Sequence, residues 1–367
     1  MQKKHNAYPI KKFLKLLFKL HFCCFCLSAC HDTPSKKLDE LPSEVTPAYY
    51  HWQTILALSE TEKQHLGSLH SSKLYIKFFD IDINTASTEP FPLARLQLDS
   101  NSFIPDTIIP TVFITNRSLL NLEPAQVEQL AQRLFKLIGD LAKPLGPVSM
   151  PEVQIDCDWS QQTRNNYFLL LKTLREQHLP ADQFLSATIR LHQLKYPDQT
   201  GIPPVDRGML MFYNMGEVTQ WQEQNSILNL EIAAQYIRPA SPYPIPLDLA
   251  LPLFRWGVLF RGGKMIKLIN ELGSEQLRDT TRFRAIDNSH FQVTRSTYLD
   301  GYYLYKGDQF RLEESKLSDL QEAVEMLSRY FPRKSFTLAY YHLDMPIVKR
   351  FSHTALSDLV EQFETRE

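Results

Sequence analysis

The stretch Val153-Gln154-Ile155-Asp156-Cys157-Asp158-Trp159-Ser160 alternates apolar and polar side chains with a period of two, the pattern of a β-strand with two unlike faces. Val153, Ile155, Cys157 and Trp159 share one face, and Gln154, Asp156 and Asp158 share the other. Two carboxylates and an amide on one strand face are costly to bury unless they are hydrogen-bonded or line a site. The stretch lies mid-chain between two helix-like segments, where a parallel core strand belongs. Its polar face is therefore expected to lead to a site, not to form the solvated side of an edge strand.

Outward from this stretch, strand-like and helix-like segments alternate along most of the 367 residues, the signature of a parallel sheet with crossover helices. Eight strands are expected, at 48–53, 73–79, 109–115, 153–159, 185–191, 208–213, 247–251 and 336–341. Between them, Val127, Leu130, Leu134, Ile138 and Leu141 recur at helical spacing behind Pro124, and the pattern stops at Lys143-Pro144. Tyr167, Leu170, Leu171 and Leu174 make a second stripe, and Leu317, Leu320, Val324 and Leu327 a third; all three read as core packing. Eight strands with intervening helices fit an α/β fold of the (β/α)8 TIM-barrel type better than an open doubly wound sheet. The spacing breaks between Pro252 and Ser315. There Gly262-Gly263, a polar helical stretch near Glu275 to Arg282, short aromatic strands around Phe291 and Tyr302-Tyr303, and a hairpin turn at Lys306-Gly307-Asp308 predict a small α+β insertion after strand seven, at about 257–312.

The N-terminus carries Lys3, Lys4, Lys11, Lys12, Lys15 and Lys19, followed by an apolar run from Phe22 to Ala29. That is the layout of a secretory signal, and the run is too short to span a bilayer. It ends in Leu27-Ser28-Ala29-Cys30, which resembles the bacterial lipobox. The resemblance implies that residues 1–29 are a lipoprotein signal peptide, that Cys30 is the lipidated, triacylated residue, and that the protein is anchored to a membrane of a bacterial cell envelope. Residues 30–47 then read as a polar tether to a barrel over 48–367. Residues 1–29 hold six lysines and no acid, so without them 34 basic residues face 41 acidic ones, a formal charge of −7. That balance argues against nucleic acid as a partner. Of the five cysteines, Cys157 alone would remain beyond Cys30, which leaves no intramolecular disulfide. Alternation turns it away from the aspartates, as a buried small hydrophobe. The twelve glycines contain no G-x-G-x-x-G or Walker pattern, so no nucleotide or other cofactor is expected.

In such a barrel the polar residues at the C-terminal ends of the strands converge on one mouth. Strand two delivers Asp80 and Asp82, strand three Thr115, Asn116 and Arg117, and strand four Asp156 and Asp158. Strand five delivers Arg190 and His192, strand six Tyr213 and Asn214, strand seven Arg255 and Trp256, and strand eight Tyr341, His342 and Asp344. Carboxylates and amides bind hydroxyls, and aromatic rings stack on the apolar face of a sugar, so the expected partner is a glycan or related polar ligand. Asp156 and Asp158 are the candidate catalytic carboxylates. Asp80, Asp82, Arg190, Tyr213, Asn214, Trp256, Tyr341 and Asp344 are the candidate ligand-binding residues. The histidines are scattered without an H-E-x-x-H pattern, so no metal is expected. The four aspartates would hold a hard cation such as Ca2+ only if strands two and four brought them together. No G-x-S-x-G elbow is present.

Several of these segments resemble family 18 glycoside hydrolases, the chitinase-like barrels. Ile155-Asp156-Cys157-Asp158-Trp159-Ser160 is similar to that family's strand-four Asp-x-Asp-x-Glu motif, and Met211-Phe212-Tyr213-Asn214 to its strand-six Met-x-Tyr-Asp/Asn motif. Leu249-Ala250-Leu251-Pro252-Leu253-Phe254 resembles its Gly-Leu-Pro segment, which also precedes an α+β insertion, and Tyr341 to Asp344 resembles its strand-eight Trp-x-x-Asp region. The chain also looks like an uncharacterised group of bacterial barrel proteins with a Gln-x-Asp-x-Asp strand. The family resemblance implies that Asp158 corresponds to the carboxylate that orients a substrate acetamide, Asp156 to its inner neighbour, and Tyr213 to the tyrosine that contacts the acetamide oxygen. The chain departs from the family at the proton donor, where Ser160 stands in place of Glu. A serine cannot supply a proton to a leaving glycoside at neutral pH; Ser160 is expected instead to cap the following helix. The resemblance thus implies a glycosidase-like barrel that binds a glycan without family-type hydrolysis. The alternatives are hydrolysis by Asp158 with another acid, Asp80, Asp82 or Glu217, and a structural lipoprotein whose mouth is filled.

Overall fold

The structure, a computed structural model, describes residues 44–364 apart from 72, 85–86, 100–101, 238–242 and 331–334. The signal segment, Cys30 and most of the tether lie outside the described residues. Among the described residues no helix is long and apolar enough to cross a membrane.

Eight parallel strands close into a barrel: β1 (Val45–His51), β2 (Lys73–Asn84), β3 (Thr107–Ile114), β4 (Glu152–Asp156), β5 (Phe184–Ile189), β6 (Arg207–Met211), β7 (Leu247–Pro252) and β8 (Phe336–Tyr341). Neighbours in sequence are neighbours in the sheet, and the ring closes at Ala48, which pairs with Ala339 of β8 on one side and Lys73 of β2 on the other. All eight expected strands are present, and the first begins at Val45, ahead of the expected residue 48. β2 runs past its expected end because it folds back antiparallel on Ser87–Leu93.

The apolar stripes dock helices on the outside of the barrel. α1 (Glu60–Ser68) starts on a capping box made by Ser59 and Glu62. α2 (Pro124–Ala142) begins with proline in its first turn, where the missing N–H costs nothing, and buries Val127, Leu130, Leu134 and Ile138. α3 (Arg164–Thr173) buries Tyr167, Leu170 and Leu171. α4 (Leu317–Leu327) buries Leu320, Ala323, Val324 and Leu327, and α5 (His353–Glu364) packs against it.

Polar groups fill the barrel interior. Where the strands begin, Lys73 Nζ lies 3.5 Å from Glu152 Oε2 and 3.2 Å from Thr337 Oγ1, and Arg207 Nη1 lies 3.2 Å from Asp248 Oδ2. Further along, the Tyr50 hydroxyl donates to Gln154 Oε1 at 2.6 Å, and the Gln154 amide reaches Ser186 Oγ at 3.3 Å. Partners are obligatory here, because an unmet polar group in a buried setting costs about 1 to 3 kcal/mol.

The insertion after β7 is a five-stranded antiparallel sheet in the order 264–270, 255–261, 309–314, 290–293, 283–285, with its own core around Leu259, Phe283 and Phe310. It starts at Arg255, so Arg255 and Trp256 belong to its first strand and not to the end of β7. Two local expectations are corrected. The 275–282 stretch is not a helix beyond a single turn at Ser274–Leu277, because the Asp279 carboxylate takes the Thr281 N–H at 3.0 Å and the Arg282 Nε–H at 2.6 Å and closes a turn. Lys306-Gly307-Asp308 does turn, but between strands that do not pair. The hairpin turn is Asp300-Gly301, between Thr297–Leu299 and Tyr302–Leu304, with φ +47° and +74° as a type I′ turn requires.

Candidate functional site

The two faces of β4 go where alternation sends them. Gln154 and Asp156 are buried inside the barrel. Outside it, Trp159 stacks on Tyr167 of α3 with ring centres 5.2 Å apart and donates its indole N–H to the Thr200 carbonyl at 3.0 Å. Cys157 is buried on the same outer side, and burial pushes its thiol well above the ordinary value.

At the mouth, one arginine serves two carboxylates. Arg190 Nε donates to Asp158 Oδ1, and its Nη2 lies 3.7 Å from Asp156 Oδ1. The Thr188 hydroxyl donates to the same Asp156 oxygen at 2.7 Å. Burial raises the Asp156 carboxyl to about 6; Arg190 opposes the rise and the Asp158 charge adds to it. The Arg190 guanidinium carbon lies 5.9 Å from the centre of the Tyr213 ring. Tyr213 is 5.3 Å from Tyr341, and Tyr341 is 5.5 Å from Trp52, so an aromatic wall stands beside the charged groups. Burial raises the Tyr213 and Tyr341 hydroxyls, so both stay protonated.

A second group sits on β2. Lys77 Nζ lies 3.2 Å from Asp80 Oδ2 and 5.7 Å from the centre of the Trp52 ring. Asp80 Oδ1 is buried with no hydrogen-bond partner, and burial raises its carboxyl in spite of Lys77. Asp82 is the opposite case. Arg117 grips it through Nε at 2.6 Å and through Nη2, and Thr115 donates at 2.8 Å, which together hold the carboxyl far below the usual range. The four aspartates are thus divided among three cations. Among the described residues no group of three or more His, Cys, Asp or Glu is placed to hold a metal ion.

The remaining candidates have more structural surroundings. Asn214 adopts φ +56° in the turn after β6, its N–H bonded to the Ile227 carbonyl at 2.8 Å. Trp256 spends its indole N–H on Glu313 Oε2 at 2.8 Å within the insertion. Asp344 starts the short helix Met345–Val348, and burial raises its carboxyl. Burial lowers His192, and lowers His342 to about 4 with His51 alongside. Glu217 is exposed and accepts from the Thr219 N–H and hydroxyl at 3.3 and 2.7 Å, which holds its carboxyl low, the wrong direction for a proton donor.

Ser160 does not cap α3 with its side chain. Its own N–H donates to Thr163 Oγ1 at 3.0 Å, its hydroxyl lies 3.3 Å from the same oxygen, and its carbonyl accepts from the Thr163 and Arg164 amides. Thr163 also donates to Asn116 Oδ1, so residues 160–163 close as a turn and the helix starts at Arg164.

Trp52, Lys77 and Thr188 escaped the sequence reading. Each left a trace: an indole just past β1, a lysine inside an apolar strand, and a threonine two places after Ser186 on the inward register of β5.

No protein-family model matches the sequence, and no curated protein matches it. Among solved structures, the Bacillus cereus spore cortex-lytic enzyme SleL is similar at 13% identity and TM-score 0.48, over 89% of this chain and 75% of that one. A chitinase from Chromobacterium violaceum is similar at 10% and 0.47, over 88% and 100%. Catalytic domain 2 of the Ostrinia furnacalis group II chitinase is similar at 10% and 0.49, over 88% and 97%.

Proposed function

We propose that the barrel mouth binds a glycan or related polar ligand without hydrolysing it by the family-18 route, and that the protein acts from a bacterial membrane through lipid on Cys30. One observation carries the first part. Position 160 holds a serine engaged with Thr163, and Asp158, two residues before it, is ion-paired to Arg190. Glycoside cleavage needs a protonated acid at the leaving oxygen, and this pair supplies no such donor. What the mouth does supply is recognition: Trp52, Tyr213 and Tyr341 for sugar faces, and Asp156, Asp158, Arg190 and Lys77 for hydroxyls and acidic or amide substituents.

A second reading, hydrolysis with a different acid, is favoured by one group. Asp80 is raised by burial and has a free buried oxygen, whereas Asp82 and Glu217 are both held low.

Calorimetric titration with N-acetylglucosamine oligomers and a panel of neutral and acidic oligosaccharides tests the binding. Saturable binding is expected, weakened about tenfold or more by Trp52→Ala, the loss of one stacked ring. Binding by no glycan in the panel, or binding indifferent to Trp52, would overturn it. For the anchor, Cys30→Ser should abolish labelling by a clickable fatty acid and release the protein from the membrane fraction. A serine variant that is still labelled refutes the anchor.

A further inference from the structure

The hairpin of the insertion, Thr297–Leu299 with Tyr302–Leu304, has two unlike faces. Leu299 and Leu304 are buried in the insertion's own core. Tyr298, Tyr303 and Tyr305 are 67%, 40% and 51% exposed. Cross-strand pairing sets Tyr298 opposite Tyr303 with ring centres 5.0 Å apart, and Tyr303 stands another 5.0 Å from Tyr305, two residues on. Single exposed aromatics need no explanation, but a contiguous row is a feature of interaction surfaces.

Cations edge this row. The Arg261 guanidinium covers the Tyr305 ring at 4.3 Å and is fixed there by two hydrogen bonds of 2.8 Å to the buried Asp308. Lys264, paired with Arg261 across the Gly262-Gly263 turn, and Lys306, next to Tyr305, are both exposed.

We propose that this hairpin binds an anionic polysaccharide, a chain of pyranose rings bearing carboxylates, at a surface separate from the barrel mouth. The chemistry matches on both counts. Phenol rings accept the apolar faces of successive sugars, and lysines and arginines beside the rings accept the carboxylates, with Arg261 already oriented by Asp308. A lipid surface would call for an apolar wedge among the cations. The row offers tyrosines instead, with no exposed large aliphatic side chain among residues 297–305. The inference does not depend on what the mouth binds.

The test is electrophoresis of the full chain in native gels containing polygalacturonate, with dextran as the neutral comparison. The Tyr298→Ser/Tyr303→Ser/Tyr305→Ser and Lys264→Gln/Lys306→Gln variants run beside the wild type; all five positions are exposed, and thermal melts check that both variants fold. The expected result is retardation of the wild type by polygalacturonate but not by dextran, weakened about tenfold in each variant and by added salt. Should the tyrosine variant fail to fold, the lysine variant decides alone. Absence of retardation, or equal retardation of wild type and variants, would overturn the proposal. So would a Cys30→Ser protein that floats with phosphatidylglycerol vesicles through these tyrosines and ignores polygalacturonate.

Discussion

Arg190 and Asp158 form an ion pair at the barrel mouth in which the arginine is also committed to a second carboxylate: its Nη2 lies 3.7 Å from the buried Asp156. The Arg190 side chain is only 19% exposed, whereas that of Asp158 is 57% exposed. One cation therefore holds one outer carboxylate at the mouth and keeps one inner carboxylate tolerable in the core.

Asp156 should leave a signature in the pH dependence of stability. Its carboxyl is raised by burial from an ordinary 3.8 to about 6 in the folded protein. Between those values the folded state holds a proton that the unfolded chain has lost. The stability from this group is complete below about pH 4 and is lost as pH rises through about 6. Asp156→Asn should flatten the stability curve in that window and gain on the wild type at pH 7 relative to pH 4.5. Urea denaturation at the two pH values checks this; an unaltered difference between wild type and variant speaks against a raised Asp156.

Removing the shared cation should be costly. Arg190→Gln leaves Asp156 buried without its counter-charge, a loss of about 3 kcal/mol, the low end for breaking a buried pair because Asp158 is mostly in water. The penalty should shrink below pH 6, where Asp156 takes up a proton. Carboxyl carbon NMR should place the Asp156 titration higher than in the wild type. A cost that is the same at pH 5 and pH 7 would argue that Arg190 acts by packing alone.

The insertion is joined to the loop after β6 by a wholly buried pair. Arg311 donates to Glu313 Oε1 from Nε at 2.6 Å and also binds the Val218 and Gln220 carbonyls, while Glu313 Oε2 accepts from Ser226 and from Trp256. Arg311→Met strands the Glu313 charge and should cost about 3 to 5 kcal/mol, and adding Glu313→Leu should recover part of it. Amide exchange should quicken first at Ser226, whose N–H is held by Glu313. A single variant as stable as the wild type would show the pair to be dispensable.

Much of the barrel was legible because its determinants are local. Pro124 and Lys143-Pro144 bracket α2, and the alternation of β4 correctly sent Gln154 and Asp156 inward and Cys157 and Trp159 outward. The mouth was legible as a set of residues but not as a set of partners. Arg190 meets Asp158 across 32 positions only because Ile155 of β4 pairs with Ala187 of β5. Ser160 was misread as a cap because its competitor, the bond from Thr163 to Asn116, spans 47 positions. Arg255 and Trp256 follow β7 so closely that nothing local assigns them to the next sheet.

The most direct measurement is the release of reducing ends from an N-acetylglucosamine oligomer, or from whichever glycan the wild type binds, by the wild type, Asp158→Ala and Ser160→Glu. The expected result is saturable binding by the wild type with no release, and release only by Ser160→Glu, whose new carboxyl would stand two residues from Asp158 and be raised by its charge. Ser160→Glu should also lose about 1 kcal/mol of stability with the hydroxyl contact to Thr163 Oγ1, while the backbone bonds of the turn remain. Release by the wild type that disappears in Asp158→Ala would contradict the binding-only reading and show that another residue of the mouth donates the proton.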